Sequence, residues 1–387
     1  MTQSHTACPQ FSAIDYQMMS RAITLASKGR FTTAPNPNVG CVLTRDDHIV
    51  GEGYHQKAGE PHAEVHALRM AGIQSQGATA YVTLEPCSHY GRTPPCAEGL
   101  IKAGVTKVIC AMSDPNPQVA GRGFTMLREA GIEVYVGLLE QEARALNRGF
   151  LKKMETGKPF VQLKMAASLD GQTALANGRS QWITGTQARR DVQAYRAQAA
   201  AILSTSQTVI EDNASLNVRW NELPSHVTDT ITPSQLRQPT RVILDKQARL
   251  SSDLALFQSV GSVLRVAESG ADINVPLTEC GQLSLTHTLS AMADEQQINH
   301  VWVEAGATLA GGLIQQQLVD EIIVYLAPKL MGADGRGLIG ALGLQSMQDT
   351  INLVIKDVRM VGQDIRIVAM PTVVTPTASA ATSPITK

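Results

Sequence analysis

His62-Ala63-Glu64, followed by Cys87 and then Cys96, puts an imidazole, a carboxylate and two thiolates into one stretch of the chain. One nitrogen and two sulfur donors suit Zn²⁺, which in a catalytic site keeps its fourth position for water. A carboxylate two residues after the histidine supplies the group that takes the water's proton and hands it on. Nucleobase deaminases combine these parts, a His/Cys/Cys zinc with a glutamate that is not a ligand, in the pattern H-x-E…P-C-x-x-C. Here the second cysteine comes later, at the end of Pro86-Cys87-Ser88-His89-Tyr90-Gly91-Arg92-Thr93-Pro94-Pro95-Cys96. A purely structural zinc site would have to recruit His66 or His89 and would leave Glu64 without a task.

His66 follows His62 by one helical turn and reads as an ordinary helix histidine. His89 and Arg92 lie in a loop pinned at both ends by ligands, which points them to substrate. Asn36 sits between two prolines in Ala34-Pro35-Asn36-Pro37-Asn38. It is either a turn asparagine or an amide that reads a base edge.

These residues need elements to hold them. An α-helix turns about 100° per residue, so His62 and Glu64 share a pocket only if the metal sits where a helix begins. Pro61 suits that opening, and a helix is predicted after it. The short strand Ala80–Leu84 runs into Pro86-Cys87, and Cys96 precedes the next helix start, where free amides favour a thiolate. Upstream, Asp15–Lys28 reads as a helix capped by Asp15, and Val39–Thr44 and Ile49–Tyr54 as strands joined by Arg45-Asp46-Asp47. Downstream, helix and strand alternate to Val136, and Glu140–Glu155 reads as one helix. Strands separated by helices imply an α/β sheet covered on both faces.

The chain has 387 residues, enough for two domains. The pattern restarts after Thr156-Gly157-Lys158-Pro159, giving domains at 1–157 and 158–370, with 371–387 an expected disordered tail. In the second half Phe160–Met165, Ala200–Ser204, Arg241–Asp245, His300–Glu304 and Glu321–Leu326 read as strands, and Asn352–Val358 with Asp364–Ala369 as a closing antiparallel pair. Asn221–Gln238 is polar and reads as a surface excursion. Val303–Gly312 reads as a strand, a glycine turn and a helix start. Its amides suit a phosphate, or its glycines simply permit a tight connection. A G-x-G-x-x-G fingerprint is absent.

Hydrophobic residues make up 43%, charged residues 17%, and the net charge is −1 with the basic residues scattered. That argues against a nucleic-acid groove, which concentrates Lys and Arg. No apolar run approaches the ~18 residues of a membrane span. Six cysteines, two of them in the metal pattern, fit a reduced, cytoplasmic protein.

Pro35-Asn36-Pro37 with Val39-Gly40, His62-Ala63-Glu64, Pro86-Cys87, Gly91 through Cys96, and Asp114-Pro115-Asn116-Pro117 resemble the deaminase half of the bifunctional riboflavin-biosynthesis deaminase–reductases. The resemblance implies a cytidine-deaminase-like three-layer domain in which His62, Cys87 and Cys96 bind Zn²⁺, Glu64 shuttles protons, and Asn36, His89, Arg92, Asp114 and Asn116 face substrate. Met165–Gly171, Ser180–Gly185, Asp212 with Leu216–Arg219, and Gly306–Gly312 resemble the family's reductase half. That half is similar in fold to dihydrofolate reductase and uses NADPH. It implies cofactor contacts from Ala166, Trp182, Thr208, Asp212 and the run Gly306, Ala307, Thr308, Leu309, Ala310, Gly311 and Gly312. Lys164, Ser180, Arg196, Leu216, Arg219 and Glu304 would hold substrate, the two arginines as clamps for a ribose phosphate. Asn213-Ala214 departs from the family, which often has a second acid and a proline there.

The reaction implied is hydrolytic deamination of 2,5-diamino-6-ribosylamino-4(3H)-pyrimidinone 5′-phosphate, then reduction of the ribosyl group to ribityl, in a homo-oligomer. The rivals are a zinc deaminase of nucleic acid or a free nucleobase, and a zinc module on a reductase with one activity.

Overall fold

The structure is a computed structural model that describes residues 11–90, 94–116 and 120–372. It divides into two compact units, one of Met1–Phe160 with Arg190–Trp302, the other of Val161–Arg189 with Val303–Lys387.

The first unit opens with α1 (Ala13–Ser27), the hairpin β1 (Gly40–Arg45) and β2 (His48–Tyr54), α2 (Ala63–Ala71), β3 (Thr79–Val82), α3 (Cys96–Lys102), β4 (Lys107–Cys110), α4 (Arg122–Glu129), β5 (Glu133–Val136), α5 (Glu140–Leu146) and α6 (Arg148–Thr156). The sheet order is β2-β1-β3-β4-β5. β1 is antiparallel to both β2 and β3, while β3, β4 and β5 run parallel. Strand alternation sends Val42 and Tyr81 to one face, against Met18, Met19, Ala22 and Leu25 of α1 together with Ala143 and Leu151. Cys41, Leu43, Ala80 and Val82 go to the other face, against Ala63, Ala67, Leu100 and Leu127 from α2, α3 and α4. The result is the three-layer arrangement expected.

Two glycines let α2 lie close on β2. A Cβ at Gly51 would come 2.2 Å from the Ala67 carbonyl, and one at Gly53 would come 2.6 Å from that of Ala63. The hairpin turns through Asp46 and Asp47, both at positive φ, as a tight two-residue connection requires.

Two local expectations change. The N-cap of α1 is Ser12, whose hydroxyl accepts from the Asp15 amide while Asp15 accepts back at Ser12, a reciprocal capping box. The helix expected over Glu140–Glu155 breaks at Asn147. The Asn147 side chain is committed to the backbone of Asn38, accepting from its amide at 2.7 Å and donating to its carbonyl at 2.9 Å. A contact so distant in sequence leaves no trace in helical periodicity.

Beyond α6 the chain forms β6 (Phe160–Ser168), β7 (Gln172–Ala174), α7 (Thr186–Gln198), β8 (Ala201–Thr205), α8 (Ser206–Asp212), the short α9 (Ser225–Thr228), β9 (Thr240–Leu244), α10 (Ala255–Gln258), β10 (Val263–Ala267), β11 (Ile273–Asn274), α11 (Leu285–Asp294), β12 (His300–Glu304), α12 (Ala307–Gln315), β13 (Glu321–Ala327), β14 (Arg336–Gly337), β15 (Leu353–Val361) and β16 (Asp364–Pro371). In the first unit β8, β9, β10 and β11 are parallel neighbours. In the second, β6 and β13 are parallel, β13 and β16 antiparallel, and β15 and β16 form the expected antiparallel pair.

Asn221–Gln238 is not a surface excursion. Leu223, Val227 and Ile231 recur every fourth residue and are buried in a cluster with Phe31, Ala194, Ala197 and Val218. The polar majority around them masks the spacing. Pro371 ends β16 and Thr372 donates to the Asn352 carbonyl, while 373–387 of the expected tail lies outside the described residues.

Candidate active site

His62 is the N-cap of α2, with extended φ and ψ, and makes no side-chain capping bond. Its ring is therefore free to turn away from the helix, as the metal argument requires. Glu64, two residues on, is already inside the first turn and buried. Cys96 is the first residue of α3, after Pro95, and its amide donates to Cys87 Sγ at 3.2 Å. The Ala97 amide donates to the Cys87 carbonyl, which fixes the cysteine loop at its two ends.

His62 Nδ1 lies 3.6 Å from Cys87 Sγ and 3.3 Å from Cys96 Sγ. All three donor atoms fall within 4.8 Å of one another. Hydrogen bonds from the Cys96 thiol, then from His62 and the Cys96 amide, hold the Cys87 thiol below its usual range despite burial. Cys96 is pushed up, first by that bond and then by burial. The two sulfurs can both ionise only with a cation between them, and the imidazole beside them completes a zinc donor set.

Glu64 Oε2 is buried with no hydrogen-bond partner. Burial first, then the neighbouring Cys87, pushes this carboxyl up to about 7. A carboxyl with one orphaned oxygen and a raised pKa beside a three-donor cluster is what a proton-transfer group next to a metal needs, and the residues present fit zinc.

His66 stays out of the cluster; its Nε2 is buried without a partner among the described residues. Asn36 Nδ2 stands 3.2 Å from Nε2 of His55. The buried His55 ring reaches the Pro61 carbonyl through Nδ1 and meets His62 edge-on, with centroids 5.4 Å apart. His55 thus links Asn36 to His62 of the candidate metal cluster, and the sequence reading missed it. It also missed Glu85. The buried Glu85 carboxylate accepts from the amides of Asp114, Gly121 and Gly123 at 3.2, 3.0 and 3.0 Å, which ties down the segment carrying Asp114 and Asn116. The signal was present, since an acidic residue between Leu84 and Pro86 interrupts an apolar strand end. Burial raises Asp114, and exposed His89 is one of the groups whose charge acts on it. Arg92 lies outside the described residues.

Of the residues expected in the second half, Arg196, Thr208, Asp212, Leu216 and Arg219 belong to the first unit. Arg196 is buried and donates to the Asn217 carbonyl at 2.9 Å. Arg219 differs from a waiting phosphate clamp, because its guanidinium forks onto Glu222 at 2.6 and 2.7 Å. Thr205 caps α8 through the Thr208 amide, and Asp212 closes that helix. The unusual Asn213 takes a left-handed conformation at φ 44° and accepts from the Ala255 amide, two tasks that suit its side chain. Leu216 is buried at φ 51°.

In the second unit Lys164 and Ala166 share one face of β6, alternating with buried Leu163, Met165 and Ala167. Ser180 is half-buried and Trp182 is exposed, with Arg189 4.7 Å over its ring. Glu304 ends β12. Gly306 is the N-cap of α12 with no side-chain cap and open space where a Cβ would be. Gly311 and Gly312 are inside the helix rather than in a turn; a Cβ at Gly311 would meet Gly340 at 3.5 Å. Only Gly306 and the first turn, Ala307 to Leu309, are at the helix mouth.

Residues 12–112 match the cytidine and deoxycytidylate deaminase zinc-binding region, and residues 159–367 match the RibD C-terminal domain. The riboflavin biosynthesis protein RibD of Escherichia coli (strain K12) is 55% identical over 361 residues, which cover 91% of this chain and 98% of that protein. This chain belongs to the RibD family. The RibD of Haemophilus influenzae is 52% identical, with 94% of this chain and 99% of that one covered. Among solved structures, Acinetobacter baumannii RibD aligns with a TM-score of 0.86 at 46% identity, covering 93% of this chain and 99% of its own. A Thermotoga maritima diaminohydroxyphosphoribosylaminopyrimidine deaminase/5-amino-6-(5-phosphoribosylamino)uracil reductase aligns at 0.81 and 32%, with the same coverage. The chain is a bifunctional riboflavin-biosynthesis enzyme of this family, with a zinc-binding deaminase domain and a reductase domain. No helix among the described residues is long and apolar enough to cross a membrane.

Proposed function

We propose that residues 1–157 hydrolyse the 2-amino group of 2,5-diamino-6-ribosylamino-4(3H)-pyrimidinone 5′-phosphate, and that 158–370 then reduce the ribosyl group of 5-amino-6-(5-phosphoribosylamino)uracil with NADPH. The observation that carries the first step is the buried Glu64 carboxyl, one oxygen of which has no hydrogen-bond partner, beside His62, Cys87 and Cys96. Zinc held by those three residues supplies Lewis-acid activation of water. Glu64 takes the proton from water as its oxygen joins the amine-bearing carbon. It delivers protons to the ring nitrogen and then to the departing amine, so the C–N bond breaks and ammonia leaves. The Asn36 amide, steadied by His55, orients the base, as do His89, Arg92, Asp114 and Asn116.

For the second step NADPH supplies the hydride that ends on C1 of the ribosyl group. Ala166, Trp182, Thr208, Asp212 and the stretch from Gly306 to Gly312 hold the cofactor. Lys164, Ser180, Arg196, Leu216, Arg219 and Glu304 hold the substrate. Arg219 exchanges Glu222 for phosphate when substrate binds. The enzyme acts on this small phosphorylated pyrimidine rather than on nucleic acid. It works in the cytoplasm, in keeping with its free cysteines at 41, 87, 96, 110 and 280.

The chain also self-associates. β15 exposes Leu353, Val354, Ile355, Val358 and Met360, and a strand apolar on both faces invites a second copy.

One incubation tests both reactions: the diaminopyrimidine phosphate with and without NADPH, products identified by mass. The expected result is ammonia release in both tubes and the ribityl product only with NADPH. NADPH left unoxidised when the deaminated pyrimidine is supplied would overturn the second activity. Deamination of single-stranded nucleic acid at a comparable rate would favour the rival substrate.

A further inference from the structure

A cavity of about 190 Å³ lies within the first unit, and Asn36 is on its wall. The same Asn36 stands against His55, which meets His62 edge-on, so one wall residue of the cavity is two contacts from the candidate metal cluster. Two arginines stand among the other walls of the cavity. Arg30 lines it, with Nε bonded to the Ser27 carbonyl and no carboxylate partner among the described residues. Arg148 lines it too, its guanidinium 4.7 Å from the centre of the Phe160 ring. His300 tilts against the same ring, and burial with the charges of Arg148 and Arg237 keeps it neutral. Arg237 does not line the cavity; its guanidinium donates to the Ala199 carbonyl, and only its Nε is buried without a partner.

The cavity also receives the start of α6, through Arg148, Gly149 and Phe150. That helix has no side-chain cap, because Asn147 at the N-cap spends its amide group on Asn38. Uncapped first-turn amides and two guanidinium groups around a small polar space form a site for a compact dianion. The wall is completed by Asn299, whose side chain donates to the Pro35 carbonyl at 2.7 Å, next to Asn36.

We propose that this cavity holds the phosphate of the deaminase substrate, a phosphomonoester clamped by Arg30 and Arg148, while Asn36 at the shared wall meets the base. The proposal rests on reading the first half as a deaminase of a ribosylaminopyrimidine phosphate. It assigns the deaminase half a phosphate clamp of its own, separate from the arginines expected to serve the reductase.

The test compares deamination of the phosphorylated pyrimidine with that of its dephosphorylated ribonucleoside in wild type, Arg30→Gln and Arg148→Gln. Each variant is expected to lose about 10- to 100-fold in kcat/KM on the phosphorylated substrate, mainly through KM, by the worth of a charge-assisted bond. Activity on the ribonucleoside, zinc content and the NADPH reaction with deaminated substrate should be unchanged. Arg30→Lys should recover part of the loss. A preference for the phosphorylated substrate that survives both substitutions overturns the clamp, and so does an equal fall on both substrates.

Calorimetric binding of ribose 5-phosphate provides the second arm. Arg30-dependent binding that competes with the pyrimidine phosphate supports the proposal, and binding that does not compete means a separate phosphate ligand and overturns it. If wild type deaminates neither pyrimidine yet binds ribose 5-phosphate through Arg30 and Arg148, the anion site stands and the deaminase reading falls.

Discussion

At the scale of single residues, Glu64 and Glu85 are two buried carboxyl groups with opposite assignments. Glu64 has an oxygen with no partner, whereas the Glu85 oxygens are occupied by three backbone amides. Glu64→Gln preserves the volume and the zinc ligands but cannot carry a proton. Ammonia release should fall by about 10²–10⁴-fold while zinc content measured by atomic absorption stays the same. Ammonia released at the wild-type rate would remove Glu64 from the chemistry. Glu85→Gln sets an amide NH₂ against backbone donors and should cost about 3 kcal/mol, read from the urea midpoint at constant m-value. The sequence makes the task of the first of these residues legible and hides the task of the second. A metal dictates residue types at short spacing, so His62, Glu64, Cys87 and Cys96 can be read together. Glu85 and His55 act on groups that only the folded sheet brings to them; the acid at an apolar strand end marks Glu85 as unusual without telling which amides it holds.

Elements place the donors more than any single bond does. His62 caps α2 and Cys96 begins α3, so small shifts of either helix move a candidate donor. Gly53 allows α2 to approach β2, and its replacement by alanine would drive a Cβ to 2.5 Å from that of His66. Gly53→Ala should destabilise the fold by about 1–3 kcal/mol and weaken zinc retention against a chelator. Normal zinc retention in a folded Gly53→Ala protein would show that His62 is positioned independently of the strand. At this scale the sequence is a good guide where a helix or strand stands alone in its pattern, as in α1, the first hairpin and the β15–β16 pair. It fails where distant partners intervene. Asn147 breaks a helix for the sake of Asn38, and Leu223, Val227 and Ile231 are buried because Phe31 reaches them. The short parallel strands β10 and β11 were not anticipated, since so few residues give no periodicity to read.

For the whole molecule, the compact units do not follow the chain's two family matches, because residues 190–302 belong with the first 160. Cutting the chain at 157 would therefore expose Phe31 and its cluster as well as separate two activities. The exposed apolar face of β15 sets the expectation for assembly. Ile355→Lys with Met360→Lys should lower the sedimentation coefficient to that of a single chain; a wild-type protein that already sediments as one chain would exclude association through this strand. Zinc adds a property that concerns polymer physics rather than catalysis. The residues proposed to hold it stand at 62, 87 and 96, so on that reading the ion is a removable cross-link that closes successive loops of the unfolded chain. Withdrawing it should lower the melting temperature and stop ammonia release, yet leave NADPH oxidation with deaminated substrate intact at moderate temperature. Metal supply thus becomes a control on how long the folded enzyme lasts, in addition to how fast it works.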